Sequence, residues 1–202
     1  MTFNYLKLRF IVGIIAIILA PLTVMFSSTV LPSISYSYYT ESRDIFVGLL
    51  FFISAFLFAY NGHSKTESIL SKLAGLCSIG VAVFPTSIQS CSANFYHLGS
   101  AVGLFLILTY FVYIPFRSKI KDETGKKKLR SDVYLGSAIL MALGMIGTVI
   151  AIFTLDCQTI WSLRLVFWGE LIALLGFGIA WIVSGKTFSF FTDPEEKQDL
   201  FK

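Results

Sequence analysis

The sequence predicts an all-α membrane protein, a single polytopic bundle of six transmembrane helices with the N-terminus and the C-terminus in the cytoplasm. The first observation behind this fold class is composition, because 55% of the 202 residues are hydrophobic and only 14% are charged. An average soluble domain carries about 25% charged residues. The second observation is the length of the uncharged segments, and the third is the placement of Lys and Arg. Together they disfavour a soluble domain, a disordered chain and a nucleic-acid-binding module.

Charged residues and helix breakers divide the chain into six apolar spans. Residues 10–40 carry no charge, and the uncharged stretch 73–116 would be about 66 Å long as a single helix. Because the hydrocarbon core is about 30 Å thick, that stretch must cross twice, with Pro85 ending one helix and Ser92 or Asn94 capping the next. The predicted spans are about 10–32, 44–62, 73–90, 95–116, 133–155 and 161–184, in one membrane domain at 1–185 that is followed by a cytoplasmic tail at 186–202.

The basic residues predict the orientation of the bundle. Fourteen of the 16 Lys and Arg residues precede the first span, follow the last one, or lie between spans two and three or four and five. Only Arg43 and Arg164 fall on the opposite side. Because Lys and Arg concentrate in cytoplasmic loops, the 1–2, 3–4 and 5–6 loops are expected outside. The net charge of +4 then reflects topology and anionic lipid headgroups, so the expected partners are membrane lipids and not nucleic acid.

Small residues in the sixth span predict close helix packing. Gly169, Ala173, Gly176 and Ala180 recur at helical spacing and let another helix approach closely. Such a stripe serves either as a dimer face or as a contact inside the bundle, and the second use is the more common one. A homo-oligomer is therefore compatible with the sequence but not implied by it.

Glu170 is the most informative polar residue, because it is a carboxylate inside the sixth span. A continuous helix from Trp161 would place it about 14 Å along the span, near the middle of the bilayer. A charge there costs about 2.5–3.5 kcal/mol unless it is paired, protonated or hydrated. The functional interpretations are a general base, a proton carrier, or a ligand for a cation or an amphiphile headgroup. The alternative is a neutral glutamic acid that bonds to a neighbouring helix.

Other polar residues are expected on the same outer side. Arg43, with tyrosines at positions 36, 38 and 39, would clamp an anionic headgroup, whereas Asp44 suits the N-terminal turn of the second span. His97 begins the fourth span and is either a metal ligand, proton shuttle or pH sensor, or a boundary residue bonded to a loop carbonyl. The predicted ligand-binding residues are Tyr38, Tyr39, Arg43, Asp44, His97, Ser100 and Glu170.

The chain carries a series of short motifs, which are Tyr38-Tyr39, Arg43-Asp44, Val47-Gly48, Tyr60, Phe84-Pro85, Cys91, His97, Glu170, Phe177-Gly178 and Trp181. These motifs resemble those of a group of small, functionally uncharacterised bacterial six-span membrane proteins. The architecture is more distantly similar to the Frag/DRAM/Sfk-type proteins of eukaryotes. The resemblance covers residues 33–185; it implies the six-span fold and a multi-pass location in the bacterial inner membrane, and it implies no activity.

Two of the three cysteines are expected to form a disulfide. Cys91 lies in the predicted 3–4 loop and Cys157 in the predicted 5–6 loop, whereas Cys77 lies within the third span. Both loops face the outside by the charge rule, and the periplasm outside a bacterial inner membrane is oxidising. The sequence therefore predicts a Cys91–Cys157 bridge.

Three functional hypotheses remain from the sequence. The first is a protein with an outward-facing polar pocket that binds a lipid headgroup or a small amphiphile. The second is a small membrane-embedded hydrolase or transferase in which Asp44, His97 and Glu170 come together, and the third is a proton-coupled transporter that uses Glu170. No soluble catalytic motif, metal site or cofactor is predicted.

Overall fold

The computed structural model describes residues 5–62, 64–86 and 94–197, and every regular element in these ranges is a helix. Five of the helices are long and apolar enough to cross a membrane. The long helices are α1 (Tyr5–Met25), α2 (Arg43–Ala59), α3 (Lys65–Val83), α4 (Phe95–Phe111), α5 (Gly125–Thr154) and α7 (Leu165–Ser184). The shorter elements are a 3-10 helix at Ser35–Tyr39, a π-helical turn at Val112–Arg117 that extends α4, and α6 (Cys157–Ser162).

Capping residues explain where α3 and α4 begin and end. Ser64 accepts a hydrogen bond from the Glu67 amide over 3.1 Å, so α3 begins well before the predicted start of the third span. It ends at Val83, before Pro85, as the proline predicts. The side chain of Asn94 accepts from the Tyr96 amide over 3.1 Å, which confirms one of the two predicted caps of α4.

The first span is shorter at its C-terminal end than predicted. Helix α1 ends at Met25, and the following segment turns across the end of the bundle instead of extending the span to residue 32. Ser28 donates from its amide and its hydroxyl to Glu41, over 3.1 and 2.8 Å. The predicted span was bounded by charged residues only. It therefore included Ser28, whose hydrogen bonds to Glu41 stabilise a turn in place of a helix.

The last span is also broken where the sequence predicted a continuous helix. Asp156 caps α6 by accepting from Thr159, and Arg164 then adopts a left-handed backbone conformation with φ 51°. Helix α7 therefore begins at Leu165, and Glu170 lies only about 7.5 Å along it rather than 14 Å. The expectation of a continuous helix from Trp161 is wrong, because nothing in an arginine side chain signals a left-handed residue, and the depth of Glu170 in the bilayer stays a prediction.

Helix α7 is the centre of the bundle and packs on α5 and α1 through small residues. A Cβ atom at Gly144 of α5 would lie 2.5 Å from the carbonyl oxygen of Gly169. On the other face of α7, a Cβ atom at Gly13 would lie 2.7 Å from the carbonyl oxygen of Gly178. Both pairs of helices thus approach to backbone contact, and the small-residue stripe of α7 is used inside the bundle.

Aromatic and basic side chains fill the end of the bundle that carries most of the basic residues, which we call the basic end. Arg9 donates to the Tyr60 hydroxyl over 2.6 Å and stacks over the ring of Phe116 at 4.7 Å. Trp181 packs against both rings, with centroid distances of 6.0 Å. These contacts join α1, α2, α7 and the π-helical turn, and they leave this end closed.

The segment after α7 folds back over the basic end. Arg130 of α5, only 2% exposed, forms an ion pair with Glu196 at 2.7 Å and donates to the carbonyl of Phe191 over 3.0 Å. Lys186 contacts the other oxygen of Glu196 at 3.1 Å. Burial raises the pKa of Glu196, but the hydrogen bonds and positive charges of Arg130 and Lys186 bring its net pKa below the ordinary value.

Candidate functional site

A cavity of about 120 Å³ lies at the opposite end of the bundle, which we call the cavity end. Its walls come from α1, α2, α3, α4, α5 and α7, and its outer rim from the 3-10 helix, the segment before it and α6. Along α4 the lining extends from His97 to Leu108, and along α7 from Val166 to Phe177. On α4 His97 is polar and the lining residues deeper in the bundle are apolar, whereas on α7 the carboxylate of Glu170 lies between Val166 and Leu174. The polar lining residues are Ser33, Ser35, Thr86, Asn94, His97, Thr148 and Glu170.

Glu170 binds the segment that covers the cavity. The amides of Ile34 and Ser35 donate to its Oε2 over 2.5 and 3.3 Å, and the Ser35 hydroxyl donates to Oε1 over 2.7 Å. These contacts hold both oxygens of the Glu170 carboxyl group against residues 34 and 35. Among the described residues, no Lys, Arg or His forms an ion pair with it.

Two further hydrogen bonds fasten the same segment to the start of α7. Arg164 donates from Nε to the carbonyl of Leu31 over 2.8 Å, and the amide of Phe167 donates to the carbonyl of Pro32 over 3.2 Å. The Arg164 guanidinium lies 4.0 Å above the ring of Phe167. The left-handed conformation of Arg164 thus positions both the guanidinium and Glu170 against residues 31–35.

Aromatic residues continue the rim. Tyr36 contacts Trp161 edge to face at 5.6 Å, and the Tyr39 hydroxyl donates to the carbonyl of Thr86 over 2.5 Å. Burial, followed by the nearby Tyr38 and Tyr36, raises the pKa of Tyr39, which keeps this phenol a neutral hydrogen-bond donor. The rim therefore ties the 3-10 helix to α6 and to the end of α3.

His97 is buried, with 7% of its surface exposed, and its Nδ1 lies 2.7 Å from the carbonyl oxygen of Phe84. This contact is the loop-carbonyl arrangement that the sequence left open as the alternative to a ligand role. The donation from Nδ1 selects one neutral tautomer of the ring. His97 still lines the cavity together with Glu170, although the two come from different helices.

The remaining predicted site residues lie elsewhere. Arg43 donates to the Tyr38 hydroxyl over 3.0 Å and stacks on that ring at 4.4 Å, on the exposed surface. Asp44 is exposed in the first turn of α2, and Ser100 packs toward Gly80 of α3. Of the seven predicted ligand-binding residues, the structure thus brings His97 and Glu170 into the cavity lining, while the other five are not part of it.

Five of the seven polar lining residues, Ser35 and Thr148 among them, were not predicted as site residues. Ser35 provides a hydroxyl and an amide to Glu170, and Thr148 of α5, 4% exposed, has a hydroxyl with no hydrogen-bond partner among the described residues. The alternation of serines at positions 33, 35 and 37 was the available signal for the first. Thr148 offered none, because a small residue inside a span is normally a packing residue.

The cysteines and other metal ligands form no cluster in the described part of the chain. No three His, Cys, Asp or Glu side chains come together there as a metal-ligand set. Cys77 is a free thiol in α3, and Cys157 is the first residue of α6. Cys91 lies outside the described residues, so the Cys91–Cys157 bridge stays a prediction.

Comparisons with protein-family models, with curated proteins and with solved structures give no match to this chain.

Proposed function

We propose that this integral membrane protein binds one small amphiphile in the cavity, with the polar head near Glu170 and the apolar chain between α4 and α7. The observation that carries the proposal is one cavity in which His97 and Glu170 lie near the loops, while the deeper lining along α4 and α7 is apolar. Ligand pockets in proteins combine mostly apolar walls with a few placed polar groups in this way.

The size of the cavity limits the ligand. An apolar cavity of about 150 Å³ holds one benzene molecule, and this cavity is about 120 Å³. That volume accepts part of a single alkyl chain and excludes the two chains of a phospholipid. The proposed ligand is therefore a single-chain amphiphile.

The enzyme hypothesis receives less support from the geometry. It requires Asp44, His97 and Glu170 to approach one another, and Asp44 is exposed on α2, outside the cavity lining. His97 and Glu170 remain as polar groups of one cavity, which is the arrangement that a binding site needs.

Filling the cavity tests the proposal. Ala101 of α4 lines the cavity, whereas Ala55 of α2 is exposed on the bundle surface. We expect Ala101→Phe to weaken the binding of tritiated 1-decanol at least tenfold in protein purified in a neutral detergent, and Ala55→Phe to leave it unchanged. Equal binding by wild type and Ala101→Phe, with an unchanged thermal midpoint, would contradict the proposal.

We also propose that α2 is a sixth span and that both termini are cytoplasmic. With 17 residues, α2 is about 25 Å long, and it packs between α1 and α3 as a neighbouring span would. The alternating helices place Arg9, Lys65, Arg130 and Lys186 at one end of the bundle, which supports that end as the cytoplasmic one. A reporter fused after Lys202 should be active in the cytoplasm of a bacterial host, and a periplasmic reporter would refute this topology.

In this orientation the cavity opens on the periplasmic side of a bacterial inner membrane. The predicted Cys91–Cys157 bridge would then form in an oxidising compartment. Thiol alkylation of freshly isolated membranes should label both residues only after reduction, and free labelling of both without reductant would exclude the bridge.

A further inference from the structure

We propose that the amphiphile bound at Glu170 carries a primary ammonium group, so that the ligand class is a single-chain alkylamine. This inference rests on the proposed function, since it assigns the headgroup of the ligand that the cavity binds. The observation behind it is that the carboxylate of Glu170 accepts hydrogen bonds from neutral donors, has no countercharge, and lies between the polar rim and the apolar interior of the cavity.

The charges around Glu170 favour a cation. Its partners Ile34 and Ser35 are neutral, and no Lys or Arg contributes to the cavity lining among the described residues. The sequence of residues 87–93 contains no charged residue either. A carboxylate removed from water is normally paired with a positive charge, and the ligand is the group that can bring one.

The two arginines of the cavity end have other contacts. Arg164 donates to the carbonyl of Leu31 and stacks on Phe167, and Arg43 stacks on Tyr38 at the exposed surface. Neither guanidinium lines the cavity. An anionic headgroup would therefore meet a carboxylate and no basic residue, which disfavours phosphate and carboxylate ligands.

The free acceptor site favours a primary amine over a quaternary one. A carboxylate has about four lone-pair sites, and three hydrogen bonds from the chain leave one site on Oε1 of Glu170. A primary ammonium has N–H donors for this acceptor, whereas a trimethylammonium group has none.

A series of decyl ligands tests this assignment. Decylamine, 1-decanol, decyltrimethylammonium and decanoate share one chain and differ only in the headgroup. In competition with tritiated 1-decanol at neutral pH, where the amine is protonated, we expect decylamine to bind at least tenfold more tightly than 1-decanol. Decyltrimethylammonium should bind more weakly than decylamine, and decanoate should bind most weakly.

Two variants assign the preference to Glu170. Glu170→Gln should retain 1-decanol binding and lose most of the tenfold preference for decylamine. Glu41→Gln is the matched control, because Glu41 is an exposed carboxylate at the same end that does not line the cavity. It should retain the full preference. If Glu170→Gln loses 1-decanol binding because residues 31–35 are released, Glu170→Asp, which keeps the charge, should still prefer the amine.

The outcomes separate the two proposals. If no decyl ligand binds the wild-type protein, the proposed function fails. If 1-decanol or decanoate binds as tightly as decylamine, the amine assignment is overturned while the amphiphile site stands. A tenfold preference for decylamine that persists in a folded Glu170→Gln protein would likewise overturn the role of the carboxylate.

Discussion

The basic end and the cavity end of this bundle are built from the same helices but differ in how the carboxylate at each end is partnered. At the basic end, Arg130 is paired with Glu196, and Arg9 is covered by aromatic rings. At the cavity end, Glu170 accepts hydrogen bonds from neutral donors only, and the hydroxyl of Thr148 has no partner among the described residues. Aromatic side chains fill the first end, and a cavity remains in the second.

We infer from this difference that the basic end contributes more to stability and that the cavity end is the candidate for binding. At the basic end the Arg130 charge is paired and the aromatic rings are tightly packed, although Arg9 Nε and Trp181 Nε1 have no hydrogen-bond partner among the described residues. At the cavity end, the carboxylate of Glu170 has no countercharge and can still pair with a cationic group of a ligand. Burying it without such a partner lowers the stability of the unliganded protein. Substitutions at the basic end should therefore destabilise the fold, and substitutions at the cavity end should mainly change binding.

Trp181 should show the largest effect on stability. It is 2% exposed and packs against Tyr60, Phe116 and Phe177. We expect Trp181→Ala to lower the free energy of unfolding by about 3–5 kcal/mol, because it leaves a cavity in a closed end. Trp168, on the same helix but 50% exposed, is the matched control, and Trp168→Ala should cost less than about 1 kcal/mol. Similar losses in the two variants, measured by denaturation in one detergent, would show that the basic end is not tightly packed.

The Arg130–Glu196 pair should have the next largest effect. Glu196→Gln leaves the buried guanidinium without its countercharge, so we expect a loss of about 1–3 kcal/mol. Glu195 is exposed, and Glu195→Gln should change the free energy of unfolding by less than about 0.5 kcal/mol. Thermal unfolding of the three proteins at neutral pH measures the difference. Equal midpoints for all three would mean that the segment after α7 does not stabilise the bundle.

The same pair predicts a dependence of stability on pH. Because the net pKa of Glu196 is lower in the folded protein than its ordinary value of 4.5, its contribution is present above pH 4.5. It is lost as the pH falls through the lowered folded pKa. The advantage of wild type over Glu196→Gln should therefore be full at pH 7 and should shrink as the solution is acidified below pH 4.5. An advantage that stays constant under strong acidification would rule out the ionised carboxylate as its source.

Thr148 should show the smallest effect, with the opposite sign. Thr148→Val removes a buried hydroxyl without a described partner and keeps the shape of the side chain, so the unliganded protein should gain up to about 1 kcal/mol. Thr154 of the same helix donates to the carbonyl of Ile150 over 2.8 Å at an exposed position, and Thr154→Val should change stability by less than about 0.5 kcal/mol. A clear loss of stability in Thr148→Val would show that the Thr148 hydroxyl is hydrogen-bonded. The contrast between the two ends of the bundle would then be smaller than stated above.

Local features of the chain were sufficient to predict the class of fold and several helix ends. Uncharged segments predicted the apolar helices, Pro85 predicted the end of α3, and Asn94 predicted the cap of α4. These features act over one or a few helical turns, through hydropathy and backbone hydrogen bonding, so they can be recognised in neighbouring residues. The same local features did not predict the left-handed conformation of Arg164. That conformation accompanies contacts of the Arg164 side chain with the carbonyl of Leu31 and the ring of Phe167, which exist only in the packed structure.

The composition of the site depends on contacts between residues far apart in the chain. Glu170 was predicted as a functional carboxylate, but its partners Ile34 and Ser35 precede it by more than 130 residues. The sequence grouped Arg43 and Asp44 with it because all three fall on the same side of the membrane by the charge rule. Hydropathy and charge assign a residue to one side of a bilayer, whereas the rotation of each helix about its axis decides which side chains enter a cavity. That rotation depends on packing, here the backbone contact of Gly13 and Gly144 with α7, and it places Glu170 inside the bundle while Arg43 and Asp44 are left at the surface.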